Sequence, residues 1–397
     1  MEVFRMCETI ALDSRALGTP RKSGEQNRQN GLAGLMQGMT QPAALRLLSI
    51  LLLGLLLVFR AAAPAAAEDE PSEAPKDVRV SSTLTITEEN DIMGGTDANY
   101  TNGTKIIWVS GDISRYAKDH WLPRFVVQSL RILPFLDDPG MQYNVGLSVG
   151  QTIFTPRHIY SPVYRPYDRP YAGWSFVGLA LHAKTPYRLD TIEGSLGIVG
   201  PSSLAGGTQN TVHEILGLRR VRHWEHQIND EPALLLAWQR TLRVFRHDFD
   251  NHMAVDLLPH FGVTAGNVLT NANAGFEARL GYNLPWDFGT SLIRPGAGVE
   301  APAASNDPRL NKDNSPGVHI FVGANGRAVA RNMFLDGNTW QDSARVAKKP
   351  FVADVMAGVG VMMGSVKLTY THVLRTQEFY NQKSPQMFGS VSLSWTF

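Results

Sequence analysis

The chain has 397 residues, of which 43% are hydrophobic, and its 37 basic and 36 acidic side chains give a net charge of +1. This balance lacks the basic surplus that is typical of nucleic-acid binding. The single cysteine, Cys7, excludes a fold that is stabilised by disulfides within the chain.

Residues 1–67 predict an N-terminal extension and signal peptide that is removed from the mature protein. The apolar run 47–59 follows a basic residue and precedes a series of alanines. These features are typical of a secretory signal, and the run is too short for a membrane-spanning helix of about 20 residues. We expect translation to start at Met36 or Met39, because a signal rarely lies so deep in a chain.

The predicted mature chain consists of a short linker, residues 68–79, and a barrel, residues 80–397. It contains no cysteine, and the loss of 7 basic and 4 acidic residues leaves 30 and 32, a net charge of −2. No apolar run after Ala67 is long enough for a membrane-spanning helix. A membrane-bound fold would therefore have to cross with strands.

A polar segment follows the first predicted strand. Residues 88–91 are Glu, Glu, Asn and Asp, and residues 94–103 are rich in Gly, Asn, Asp and Thr. A long hairpin turn explains this composition, because Gly, Asn and Asp provide positive φ angles and side-chain caps. The carboxylate, amide and hydroxyl oxygens are also ligands that calcium prefers. Both interpretations remain open at this point.

Alternation of apolar with small or polar residues predicts an all-β fold of about twelve strands. The last strand alternates strictly and ends on Phe397, which resembles the sorting signal of Gram-negative outer-membrane barrels. A half-buried strand of a soluble sandwich is the alternative. An even number of strands fits a closed transmembrane antiparallel barrel without open edges. We expect strands over residues 80–91, 102–111, 141–154, 171–184, 187–200, 233–246, 251–263, 268–283, 317–329, 351–364, 365–376 and 386–397.

Two segments interrupt the strand pattern. Helical spacing predicts a helix over Trp121–Phe135, and a short helix over Thr208–Leu218 within the insertion 201–232. Because the first strand runs outward from the periplasm, the connections after strands one, three and five share the cell-surface rim. These connections are the segments densest in Asn, Asp, Gln, His and Arg, and they lie around residues 91–101, 155–170 and 201–232.

Gln209 and His213 form the candidate catalytic pair of the third outer loop. They are four residues apart and share one face of the predicted helix. A neutral imidazole can accept a proton from water, and a neighbouring amide can orient that water. A solvated histidine on a polar helix is the alternative, since the chain has 11 histidines.

Five motifs, taken in order, carry a resemblance to a known family. They are Glu89-Asn90-Asp91, residues 99–103, residues 168–174, Gln209 with His213, and residues 224–232. Together they resemble lipid A deacylases of the LpxR type, over about residues 83–397. The resemblance implies a twelve-stranded outer-membrane barrel whose site lies between the outer wall and a loop helix. It implies calcium-dependent ester hydrolysis that removes the 3′-acyloxyacyl group of lipid A. The implied partners are lipopolysaccharide and the outer membrane, and we expect a monomer.

The resemblance also implies roles for individual residues. His213 would be the general base, Gln209 would orient water or substrate, and Thr101 would lie in the site. Asn90 would belong to the catalytic set and, with Asp91, to the oxygen-rich environment of Ca²⁺, the implied cofactor. The ion would polarise the ester carbonyl while the histidine takes the proton from water.

Arg165 and Arg169 are the candidates for a basic pair that contacts the phosphates of lipid A. An ion pair between Arg169 and Asp168 is the alternative. An acidic residue that some family members carry after the helix is replaced here by Arg219. An outer-membrane phospholipase with a serine nucleophile, and a non-catalytic porin or adhesin, remain open as other functions. Convergence of the site residues at the outer rim would favour the deacylase.

Overall fold

The computed structural model describes residues 81–95, 99–113, 141–163, 165–215, 217–297, 299–310 and 315–397. The predicted signal and linker, and the helix predicted over Trp121–Phe135, lie outside the described residues. Among those that are described, no helix is both long enough and apolar enough to cross a membrane.

The described chain forms one antiparallel sheet of thirteen strands that closes into a barrel. β6 and β7 both pair with β8 and so share one position in the wall. Pairing of β1 with β13 closes a wall of twelve positions, and the twelve predicted strands are confirmed with small shifts at their ends. The bounds are β1 (Thr83–Asn90), β2 (Asn99–Val109), β3 (Gln142–Thr155), β4 (Ala172–Lys184), β5 (Arg188–Val199), β6 (Glu231–Leu242), β7 (Phe245–Asp248), β8 (Met253–Gly266), β9 (Leu269–Tyr282), β10 (Gly317–Asn332), β11 (Phe351–Met363), β12 (Val366–Arg375) and β13 (Gln386–Thr396).

The outer face of the wall is apolar, as alternation requires. Leu147 and Val149 of β3 are 51% and 52% exposed, and they alternate with smaller or polar residues. Trp108 and Trp395 lie on either side of Leu84 at the rim where the chain ends. An apolar belt bounded by aromatic residues is the surface that a barrel presents to lipid and its interface.

The segment between β9 and β10 fills the lumen. Arg294 lies 3.0 Å from Asp354 of β11, and the Nζ atom of Lys184 in β4 donates to the carbonyl oxygen of Pro302 at 2.7 Å. β4 and β11 are six positions apart in a wall of twelve, so the segment crosses the lumen from one side to the other. These pairs satisfy charges that would be costly to bury alone.

Because the strands alternate in direction, the connections after β1, β3 and β5 lie at one rim, as predicted. They carry the helix α1 (Ala205–Ile215) and the 3-10 turns Asp91–Gly94, Pro201–Ser203 and Trp224–His226. The same rim carries the short helix α2 (Met333–Asp336) after β10. A further 3-10 turn, Pro308–Leu310, belongs to the segment in the lumen.

The bounds predicted for the loop helix, Thr208–Leu218, were wrong by one turn. α1 begins at Ala205 although two glycines follow, and glycine is a poor helix former. Gly206 is needed there, since a Cβ atom would lie only 2.8 Å from the indole ring of Trp224. At the other end Gly217 has a φ angle of +68°, and its N–H donates to the carbonyl oxygen of Glu214, which closes the helix.

Candidate active site

Helix α1 packs on the outside of the barrel wall. Ile153 of β3 has the same parity as the exposed Leu147 and Val149, so its side chain points outward. It belongs to a buried apolar cluster that includes Ala205 of α1. The other members come from the second and third outer loops, so these loops and the helix are packed as one unit; they are Ile159, Tyr171, Val221 and Trp224.

His213 is held in one tautomer by a main-chain contact. Its side chain is buried, and its Nδ1 atom lies 2.8 Å from the carbonyl oxygen of Arg219. Since a carbonyl oxygen only accepts, Nδ1 carries the proton and Nε2 carries the lone pair. The hydroxyl of Tyr160 lies 3.5 Å from the same Nδ1 atom. The imidazole is therefore oriented with a basic nitrogen opposite the contact that anchors it.

Gln209 is also buried, one turn before His213, and its amide is oriented by Trp224. The indole Nε1–H donates to Oε1 of Gln209 at 3.2 Å. An indole can only donate, so this contact fixes which end of the amide is the oxygen. The Nε2 atom of Gln209 is buried without a hydrogen-bond partner among the described residues. This amide N–H₂ is therefore available to a water molecule or a substrate oxygen.

Asn90 and Asp91 form the start of the 3-10 turn after β1. The side-chain oxygen of Asn90 accepts from the backbone N–H of Ile92 at 2.8 Å, which caps the turn. Asp91 follows as the first residue of the turn and is completely buried. The turn explanation and the ligand explanation of this segment are therefore compatible, since one residue caps the turn and the next presents a buried carboxylate.

Thr101 lies at a β-bulge beside this turn. Asn90 pairs with Asn102 across the β1–β2 ladder, and the register of β2 with β3 shifts between Tyr100 and Asn102. The extra residue is Thr101, whose buried hydroxyl lies 2.7 Å from the hydroxyl of Thr155. Bulges redirect a side chain at the end of a strand, and this bulge directs Thr101 toward β3.

The predicted site residues occupy neighbouring positions at one rim. Asn90 and Thr101 lie on adjacent strands, and Thr101 contacts Thr155 at the end of β3. Tyr160, five residues beyond Thr155, reaches His213. The structure thus joins the first hairpin to α1 through β3 and the loop that follows it.

Glu88, the first residue of the polar segment, belongs to a hydrogen-bonded group on the outer wall below this rim. Glu88 has the same parity as the exposed Ile86 of β1, and its carboxylate accepts hydrogen bonds from Asn102 and Thr104 of β2. The sequence signal for this group is a charged residue, Glu88, at a position of β1 where the preceding outward-facing residues, Leu84 and Ile86, are apolar. A carboxylate in an apolar belt is costly unless it is paired, and the hydrogen bonds from Asn102 and Thr104 provide that pairing.

Arg169 is part of the buried interior of the loop rim. Its side chain is completely buried, with Nη1 3.3 Å from Oε2 of Glu378 and the guanidinium 4.7 Å from the ring centre of Phe154. Burial lowers the pKa of Arg169, and Glu378 partly offsets this effect. Asp168 instead accepts from the backbone N–H groups of Arg157 and Arg169. This arrangement favours a structural role for Arg169 over contact with phosphate. The partner in its ion pair is Glu378, whereas Asp168 was the partner considered from the sequence.

Arg165 lies on the exposed side of the same loop. It lines a groove of about 860 Å³ together with Arg157, His158 and Lys383. The groove lies between the second outer loop and the connection from β12 to β13. Its basic lining keeps Arg165 as the candidate for phosphate contact.

The closed wall, the apolar belt and the site on its outer side define an outer-membrane β-barrel protein. A family model described as outer membrane protein LpxR matches residues 51–397. The chain therefore belongs to the LpxR family and is an outer-membrane protein of a Gram-negative bacterium.

Two solved outer-membrane proteins resemble this chain to different degrees. LpxR from Salmonella typhimurium is similar with a TM-score of 0.61 and 17% identity, over 79% of this chain and 100% of that chain. The β domain of the Bordetella autotransporter BrkA is similar with a TM-score of 0.34 and 11% identity, over 80% and 99%. At this identity the Salmonella structure supports the fold. A search of curated proteins found no match.

Proposed function

We propose that this protein is a lipid A deacylase that hydrolyses the ester of the 3′-linked acyloxyacyl group. The observation that carries the proposal is the orientation of His213 on a helix that packs against the outer side of the wall. Its Nδ1–H is held by the carbonyl of Arg219, so Nε2 can take a proton from water. Family membership and the position of α1 outside the barrel support a membrane lipid as substrate.

The neighbouring residues support attack by water. The hydrogen-bond partners of His213 among the described residues are the Arg219 carbonyl and the Tyr160 hydroxyl, so no serine is placed as a nucleophile. Gln209 would bind the attacking water or the developing oxyanion through its Nε2 atom, because Trp224 holds the other end of the amide. This arrangement disfavours a serine phospholipase.

The donor set of the first hairpin fits the proposed calcium ion. Asp91 supplies a buried carboxylate, and Asn90 and Thr101 supply amide and hydroxyl oxygens at adjoining positions. The carboxylate, amide and hydroxyl oxygens of these three residues suit a hard cation such as calcium. When bound, calcium would polarise an ester carbonyl. Asp91 would be the principal ligand, with Asn90 completing the turn that positions it.

The proposal is tested by His213→Ala in the purified, folded barrel. We expect deacylation to fall by roughly 100-fold or more, the usual loss for a general base. The assay is fatty-acid release from lipid A, with mass spectrometry of the remaining lipid. His247→Ala is the control, because this exposed histidine lies on β7 at the opposite rim. Near-full activity of His213→Ala would show that the mechanism is wrong.

A further inference from the structure

A second group of metal-binding side chains lies in the third outer loop, apart from the first hairpin. His223, Glu225 and His226 surround the 3-10 turn Trp224–His226, and their ligand atoms lie within 4.8 Å of one another. Glu225 Oε1 is 3.4 Å from Nδ1 of His223 and 3.9 Å from Nε2 of His226. Two ligands about 2.1 Å from a tetrahedral zinc ion lie roughly 3.4 Å apart. The cluster thus has nearly the spacing of a zinc site.

The hydrogen bond on the far side of His223 determines which nitrogen faces the cluster. Nε2 of His223 lies 3.0 Å from the carbonyl oxygen of Ser161 and must donate to it. In the neutral ring, Nδ1 then turns its lone pair toward the carboxylate of Glu225. Two acceptors can face each other at this distance only with a proton or a cation between them. Metal-binding histidines have this arrangement, with the remote N–H donated to a carbonyl.

The chemistry of the three ligands favours a transition metal over calcium. Two imidazole nitrogens and one carboxylate suit zinc and similar ions, whereas calcium prefers oxygen. Glu225 supplies the carboxylate, and its Oε1 atom lies within 4 Å of a nitrogen of each imidazole. The side chains of Glu225 and His226 are 67% and 45% exposed, so an ion can enter and water can fill a fourth position.

We propose that His223, Glu225 and His226 bind one Zn²⁺ ion at the cell-surface rim, and that the ion fixes the turn that orients Gln209. Trp224 lies between the ligands in this turn, and its indole donates to Gln209. Through the contact of His223 with Ser161, the ion would also attach the third outer loop to the second. Binding is independent of the proposed deacylase, whereas the effect on Gln209 rests on it.

The binding test uses the full barrel without a histidine tag, freed of metal and titrated at pH 7.5 with Co²⁺ and then Zn²⁺. We expect one Co²⁺ per chain, with the visible absorption of a four-coordinate ion, and its displacement by Zn²⁺. Glu225→Gln and His226→Ala should weaken binding at least tenfold, since even loss of an outer partner costs 10–100-fold. His213→Ala and His247→Ala should bind like the unchanged protein, which separates this site from the proposed active site.

Two results would refute the proposal that zinc binds at this site. One is the absence of stoichiometric binding of Co²⁺ or Zn²⁺. The other is equal binding by the unchanged protein and by a His223→Ala/His226→Ala double variant. The positioning role has its own readout, because Zn²⁺ should raise the turnover of the unchanged protein and not that of Glu225→Gln. Binding without this rise would refute the positioning role and leave the metal site established.

Discussion

The hydrogen bond from Trp224 to Gln209 gives a sharp test of how the active-site amide is oriented. Trp224→Phe removes the indole N–H that lies 3.2 Å from Oε1 of Gln209, and it retains an aromatic ring beside Tyr171. The amide then loses the contact that distinguishes its oxygen from its nitrogen. Rotation of the amide would turn Oε1 toward the position where Nε2 is expected to donate.

The size of the effect follows from the net value of one hydrogen bond. A buried hydrogen bond between neutral groups contributes about 0.5–1.5 kcal/mol, which corresponds to a factor of about 2–12 in population. We expect the turnover number of Trp224→Phe to fall by this factor. The barrel should fold normally, because Trp224 lies in a loop and contributes no pairing to the wall.

The assay is fatty-acid release from lipid A under saturating substrate, with Trp238→Phe as the matched control. The indole of Trp238 also donates to an oxygen, Oδ1 of Asp190 at 3.3 Å, but it lies in the barrel wall. In a double-mutant cycle, Trp224→Phe should have no further effect once Gln209 is replaced by Ala. Full activity of Trp224→Phe, or an equal loss in Trp238→Phe, would refute the reasoning.

Three further outcomes are expected. A strong chelator should abolish deacylation and added calcium should restore it, because Asp91 and its neighbours offer oxygen ligands. Undiminished activity in the presence of chelator would contradict the calcium assignment. Thr101→Val removes the hydroxyl that contacts Thr155, so we expect lower activity and a loss of about 1 kcal/mol of local stability. The barrel should still fold, which unheated samples would show by migrating as a compact species in gel electrophoresis. In planar bilayers the protein should show no steady ion conductance, since the segment from β9 to β10 crosses the lumen; stable open-pore currents would argue for a porin.

The alternation of apolar and small residues was enough to predict the strands. Each strand faces lipid on one side and the lumen on the other, so the period of two is imposed along its whole length. The spacing of Gln209 and His213 was equally informative, because residues four apart share a helix face wherever the helix lies. The ends of that helix were not predictable, since Gly206 is poor for a helix and is required by the ring of Trp224.

Contacts between segments distant in the chain were decided by the tertiary structure alone. The sequence contains no sign that Arg169 meets Glu378, which lies 209 residues later, or that Pro302 accepts from Lys184 inside the lumen. The tautomer of His213 depends on the Arg219 carbonyl, a main-chain atom that every residue type provides. Local periodicity reports which side of an element is apolar. The partner that a polar group finds depends on closure of the barrel, which brings together strands and loops that no local pattern relates.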